Sequence, residues 1–178
     1  MAIGPFTFAD GSSQANKDAV RPAFEMAADL IGGRLKPITI IFQPKARMPD
    51  WNEAEPGIQP AWGLWKGWNG KTGQREIWLW DHVFKSDDAV PLACHEIDHA
   101  YDELYLNDHP EIREAVMEKM HPVPVAWLQG RVWAKYPYEC YAVHASGALF
   151  GIKPAYKKLL SRQIYTADYP AIRAALLS

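Results

Sequence analysis

Apolar positions along the chain change their spacing several times, and each change predicts an element. Val20, Phe24, Ala27 and Ile31 recur at helical intervals behind Asp18, a capping residue type, and Gly32-Gly33 supplies a stop. That reading places Pro22 in or beside the first turn, where its missing N–H does no harm. Pro37-Ile-Thr-Ile-Ile-Phe42 is short and β-branched, as a buried strand would be. Residues 44–60 carry Pro44, Pro49, Pro56 and Pro60 and read as an irregular loop. Two aromatic runs, 62–68 and 75–80, flank Asn69-Gly-Lys-Thr-Gly-Gln74, which predicts a β-hairpin. From about Asp87 the spacing becomes helical, over 88–106, 110–120, 138–150, 154–163 and 168–177. Strands first and helices afterwards predict an α+β fold, and no internal linker divides residues 1–178.

Composition narrows the function classes. The 178 residues hold 19 Lys plus Arg against 21 Asp plus Glu, a net charge of −2, which argues against a broad nucleic-acid face. Cys94 and Cys140 are too few for a disulfide framework or a Cys₄ zinc site. The opening MAIGPFTFADGSS lacks a basic and then apolar leader, and no apolar run approaches the ~18 residues of a membrane span. The expectation is a chain made in the cytoplasm without a signal peptide, with no membrane insertion. Eight tryptophans are the anomaly, six of them between Trp51 and Trp80. On a hairpin they read as cross-strand packing and core, with stacking on sugar rings as the alternative.

The chemistry gathers at His95-Glu96-Ile97-Asp98-His99. On a helix turning about 100° per residue, His95 and His99 lie about 40° apart, one turn above each other. Two imidazoles so placed can share one zinc ion. Glu96 points about 60° from His99, suited to taking the proton of a zinc-bound water and passing it to a leaving amine. With six His and ten Glu in the chain, the motif arises by chance in ~1% of such sequences. A third ligand is required. Asp102 lies too far along the helix to join both histidines, but it and Glu103 could orient His99. Glu139, at the start of the 138–150 helix, is the first choice, followed by His144, His121, His109 and Asp102. Cys94 adjoins His95 and Cys140 adjoins Glu139, so the two helices are expected to touch, with both thiols free and buried by default and a disulfide between them as the alternative in an oxidising compartment.

His95-Glu96-x-x-His99 with a distal helical Glu139 resembles the zincin metallopeptidases, in the gluzincin arrangement. Asp102 and Tyr105 stand where the longer motif with a third histidine has Gly and His. Position 143 is Val, where several larger gluzincins carry Asp. More loosely, the size, the leader-less start and the Trp-rich body are similar to N-terminal peptidase domains of actinobacteriophage (mycobacteriophage) endolysins. The resemblance implies a zincin-like domain: a small, mainly antiparallel sheet with an aromatic hairpin, then the metal-binding helix and a helical C-terminal part. It further implies Zn²⁺ held by His95, His99 and Glu139, and Glu96 as catalytic base. An edge strand would pair with extended substrate, and 75–80 is the expected edge. Tyr138, Tyr141, His144 and Tyr165 are candidates to assist the oxyanion.

The resulting expectation is a monomeric zinc endopeptidase acting on bacterial cell-wall peptides after holin-mediated release, with 1–178 either whole or the N-terminal module of a longer lysin. A zinc protease for ordinary polypeptides and a non-catalytic wall-binding domain are the alternatives. The basic run Lys153, Lys157, Lys158 and Arg162 reads as a solvated helix face.

Overall fold

The computed structural model describes residues 2–44, 63–85, 87–120, 137–152 and 168–178, without the side chains of residues 82, 85 and 137–140. Strand β1 (Ala2–Ile3) turns at Gly4 into β2 (Phe6–Phe8), and helix α1 (Gln14–Ile31) then leads to β3 (Ile38–Gln43). Strands β4 (Gly63–Asn69) and β5 (Gln74–Trp80) form the predicted hairpin. Helices α2 (Ala89–Leu104), α3 (Pro110–Lys119), α4 (Pro137–Phe150) and α5 (Tyr169–Leu177) follow. The α+β expectation holds. The expected helix over 154–163, with its basic run, lies outside the described residues, as does nearly all of the 44–60 loop.

Among the described residues the sheet has five strands, in the order β1-β2-β3-β5-β4. It is mixed, which corrects the expectation of a mainly antiparallel sheet: β2–β3 and β3–β5 are parallel, β1–β2 and β4–β5 antiparallel. The reason is connectivity, because β2 reaches β3 by way of helix α1, and a helical crossover returns the chain in the same direction. β1 and β2 were not expected, being two and three residues long and too short for alternation to register. The edge also differs from expectation. β5 is enclosed between β3 and β4, so among the described residues it is β4, and not 75–80, that forms the hairpin's edge strand, with β1 at the opposite edge.

Helix α1 begins four residues before Asp18. Ser13 is its cap, its side chain accepting from the Asn16 N–H at 3.2 Å, while Asp18 accepts from Gln14 and Arg21 on the helix surface. Pro22 therefore sits inside the helix rather than in its first turn. Buried Val20, Phe24, Ala27 and Ile31 keep the predicted stripe, and Phe24 meets Phe6 and Phe8 at ring distances of 4.9 and 5.6 Å.

Helix α2 is central. It packs on α1, on α4 and on strand β4, which explains why it is buried on nearly every side. The expected contact between the helices of Cys94 and Cys140 is present, with Ser146 of α4 donating to Asp98 of α2. Cys94 itself is a free, buried thiol, and burial first, then the nearby Asp98, pushes its pKa well up. The side chain of Cys140 lies outside the described residues. The tryptophans divide: Trp80 is fully buried, whereas Trp68 is 59% exposed with the Arg75 guanidinium 5.4 Å from its ring centre. Trp78 and Trp80 share a sheet face, as expected, with ring centres 6.5 Å apart.

Candidate metal centre

Helix α2 places its motif by periodicity alone. Pro91 falls within the first turn, and the helix continues through His99 without a break. His95 and His99 converge: their Nε2 atoms stand 3.1 Å apart, with the rings nearly perpendicular at 87°. Two nitrogens each ~2.0–2.1 Å from one tetrahedral ion are separated by ~3.3–3.4 Å, so the pair fits two ligands of one zinc with little adjustment. The chemistry fits as well, because imidazole is a normal zinc donor. His95 is 8% exposed and His99 somewhat more open, leaving a way in from solvent.

Glu96 is turned toward strand β4. Its Oε2 accepts a hydrogen bond from the Trp65 peptide N–H at 2.7 Å. A Cβ at Gly63 would fall 2.7 Å from Glu96 Oε1 and 2.8 Å from its Cγ, so glycine there leaves room for the carboxylate. One turn beyond His99, Glu103 accepts from the Trp65 indole N–H at 2.6 Å. None of Gly63, the Trp65 N–H or Gly67 was singled out from the sequence. The available signal was glycine recurring inside an aromatic strand, which marks close approach by a neighbouring group.

The remaining candidates separate. Glu139 lies in the first turn of α4, and its side chain is outside the described residues, as is that of Tyr138. His121 and Tyr165 are outside them altogether. Among the described residues, no three His, Cys, Asp or Glu side chains gather as a ligand set. Asp102 is engaged by Arg113 at 2.9 Å. His109 stacks on Tyr105 with ring centres 4.0 Å apart and its Nδ1 lies 2.8 Å from the Tyr105 carbonyl oxygen, a role at the end of α2 rather than at a metal. His144 is buried with its ring 6.1 Å from that of Tyr169, on the side of α4 that faces α5. Tyr141 is buried too. Desolvation first, then the charges of Asp98 and Asp102, pushes its phenol pKa well up.

No protein-family model matches the chain, and neither a curated protein nor a solved structure matches it. The chemistry therefore rests on the residues themselves. No helix among the described residues is long and apolar enough to cross a membrane.

Proposed function

We propose that the chain is a zinc-dependent endopeptidase of zincin type that hydrolyses peptide bonds in bacterial peptidoglycan. The observation that carries this reading is the 3.1 Å approach of the His95 and His99 Nε2 atoms, on the helix that also holds Glu96 against an edge strand. His95 and His99 would hold the ion, with Glu139 as third ligand. Zinc in that position supplies Lewis acidity, polarising a scissile carbonyl and acidifying water toward a pKa of ~7.

The chain's own residues supply the rest. Glu96 takes the proton of the attacking water and delivers it to the departing amine nitrogen. The Trp65 peptide N–H holds Oε2 of that carboxylate against strand β4 and so helps to orient it. Strand β4, at the sheet edge, supports binding of an extended peptide by strand addition. The wall-peptide assignment draws on the resemblance to lysin peptidase modules, and on exposed Trp68 beside the half-buried Arg75 on the hairpin.

The test is mass spectrometry of purified peptidoglycan incubated with the zinc-loaded chain, with and without chelator. New amino termini in soluble fragments, lost with chelator, are expected. Intact walls beside cleaved casein would move the substrate to ordinary polypeptides. Co-sedimentation with walls, without fragments and without bound zinc, would make the chain a binding domain.

A further inference from the structure

Glu96 and Glu103 lie seven residues apart on α2, two turns, and so rise from one face of the helix. Both end on the same residue of the edge strand. The Trp65 peptide N–H reaches Glu96 at 2.7 Å, and the Trp65 indole N–H reaches Glu103 at 2.6 Å. Two residues to either side of Trp65 the strand carries glycine, at 63 and 67. A Cβ at Gly63 would meet Glu96 at 2.7 Å, and one at Gly67 would stand 3.2 Å from Glu103 Oε1. Gly67 also has φ +66°, and the ladder to β5 is irregular between Trp65 and Gly67. A bulge at an edge frees a strand from its regular path and re-aims what it carries. The strand here is shaped around two carboxylates, with one residue bonded to both.

We propose that Glu103 is a positioning residue for Glu96, acting through Trp65. By fixing the indole, Glu103 fixes where the edge strand sits over α2, and with it the peptide N–H that orients the Glu96 carboxylate. Remove the indole contact, and the irregular stretch of β4 shifts, the Trp65 N–H leaves Glu96, and the carboxylate loses that orienting bond. Orientation of this kind is felt in turnover more than in binding, since small displacements of a catalytic group cost rate directly. The catalytic half of this proposal rests on the peptidase reading. The hydrogen-bonding half does not.

The experiment compares Glu103→Ala, Glu103→Gln and Trp65→Phe, the last keeping an aromatic ring but no indole N–H. Glu103 is exposed, so its substitution spares the core. Amide hydrogen exchange followed by NMR on the metal-free chain reads the Trp65 N–H, with Ile77 on the neighbouring strand as internal reference. Glu103→Ala and Trp65→Phe are expected to speed exchange at Trp65 about tenfold and leave Ile77 unchanged, whereas Glu103→Gln, which still accepts from the indole, keeps most of the protection. With zinc bound, the first two are expected to lower kcat about three- to tenfold at unchanged KM and zinc content, and Glu103→Gln recovers most of it. Unchanged exchange at Trp65 in both damaging variants overturns the proposal, whatever the activity. Faster exchange with unchanged kcat in an active enzyme overturns its catalytic half. A wild-type chain that cleaves nothing, with the exchange effects intact, overturns the peptidase reading and leaves Glu103 as the residue that positions Glu96.

Discussion

Toward strand β4, helix α2 offers Glu96 and Glu103, and each accepts a hydrogen bond from Trp65. Toward α4 and α3 the same helix offers Asp98 and Asp102, and their setting is different. Asp98 is fully buried, Ser146 donates to its Oδ2, and its Oδ1 finds no hydrogen-bond partner among the described residues. Asp102 has Arg113 on Oδ2 and likewise nothing on Oδ1. Loss of water dominates on that side. It pushes Asp98 well above the ordinary carboxylate range despite Ser146, and it outweighs Arg113 and His99 to leave Asp102 raised as well. Four carboxyl groups within two turns of one helix thus divide by what faces them. The side against the strand supplies donors next to the convergent histidines, and the side against the helices withdraws its acids from solvent.

The largest expected consequence of that division is catalytic. Glu96→Ala should lower kcat about 10²- to 10⁴-fold, the usual worth of a general acid–base group. Zinc content measured by elemental analysis should stay that of the wild type, because both histidines remain. Unchanged turnover would remove Glu96 from the mechanism and with it the functional half of the comparison. On the opposite side the expected effect is on stability. Ser146→Ala takes away the donor that reaches the buried Asp98 carboxyl and should cost about 1–3 kcal/mol in urea unfolding, with zinc content unaltered. A loss of zinc in that variant would show that the two sides are not independent.

How legible these features are in the sequence follows from how local they are. The meeting of His95 and His99 needs only four residues of helix, and helical periodicity supplies it wherever the helix forms. The β4–β5 hairpin likewise follows from Asn69-Gly70 between two aromatic runs. The order of strands in the sheet is nonlocal: nothing within 62–80 distinguishes the arm that pairs with β3 from the arm left at the edge. The pairing of Glu103 with Trp65 joins residues 38 apart in the chain, and its trace in the sequence is the two glycines, which interrupt the aromatic run without stating what approaches them. The cap at Ser13 leaves little trace in the hydrophobic pattern, because the apolar stripe begins only at Val20. The polar turn before it, Gln14 to Asp18, is helical in spite of carrying no apolar face.

A buried carboxylate elsewhere tests whether donors, rather than burial itself, decide the outcome. Glu76 of β5 has no exposed surface, and desolvation is the largest influence on it, acting to raise its pKa. Hydrogen bonds from Asn69 (2.8 Å), Thr72 (2.5 Å) and the Trp78 indole (2.8 Å) together outweigh it, so the carboxyl ends below its ordinary value. A depressed folded-state pKa contributes stability that is fully present above the unfolded value of about 4.5, and this stability is lost as pH falls through the lower folded value. The urea midpoint of the wild type should therefore fall more steeply below about pH 4.5 than that of Glu76→Gln. Parallel curves for the two would mean that the donors do not compensate burial. The contrast with Asp98, which has one donor, would then lose its explanation.

The smallest expected effect separates the two uses of tryptophan on the hairpin. Trp68 is 59% exposed and its described partner is the Arg75 guanidinium, a cation–π contact worth ~0.5–1 kcal/mol at an exposed site. Its loss is offset in part by returning Arg75 to water, so Trp68→Ala should change unfolding free energy by less than about 0.5 kcal/mol. A residue that contributes so little to the fold is a large apolar surface left in water, a cost that binding would recover. If the hairpin meets the wall substrate, the same variant should raise KM for peptidoglycan severalfold while leaving kcat in place, the pattern of lost ground-state binding. It should also reduce co-sedimentation with walls. A KM equal to the wild-type value would assign the aromatic excess wholly to packing, in which Trp80 already takes part. The functional side of the molecule would then reduce to the strip where β4 lies over Glu96 and Glu103.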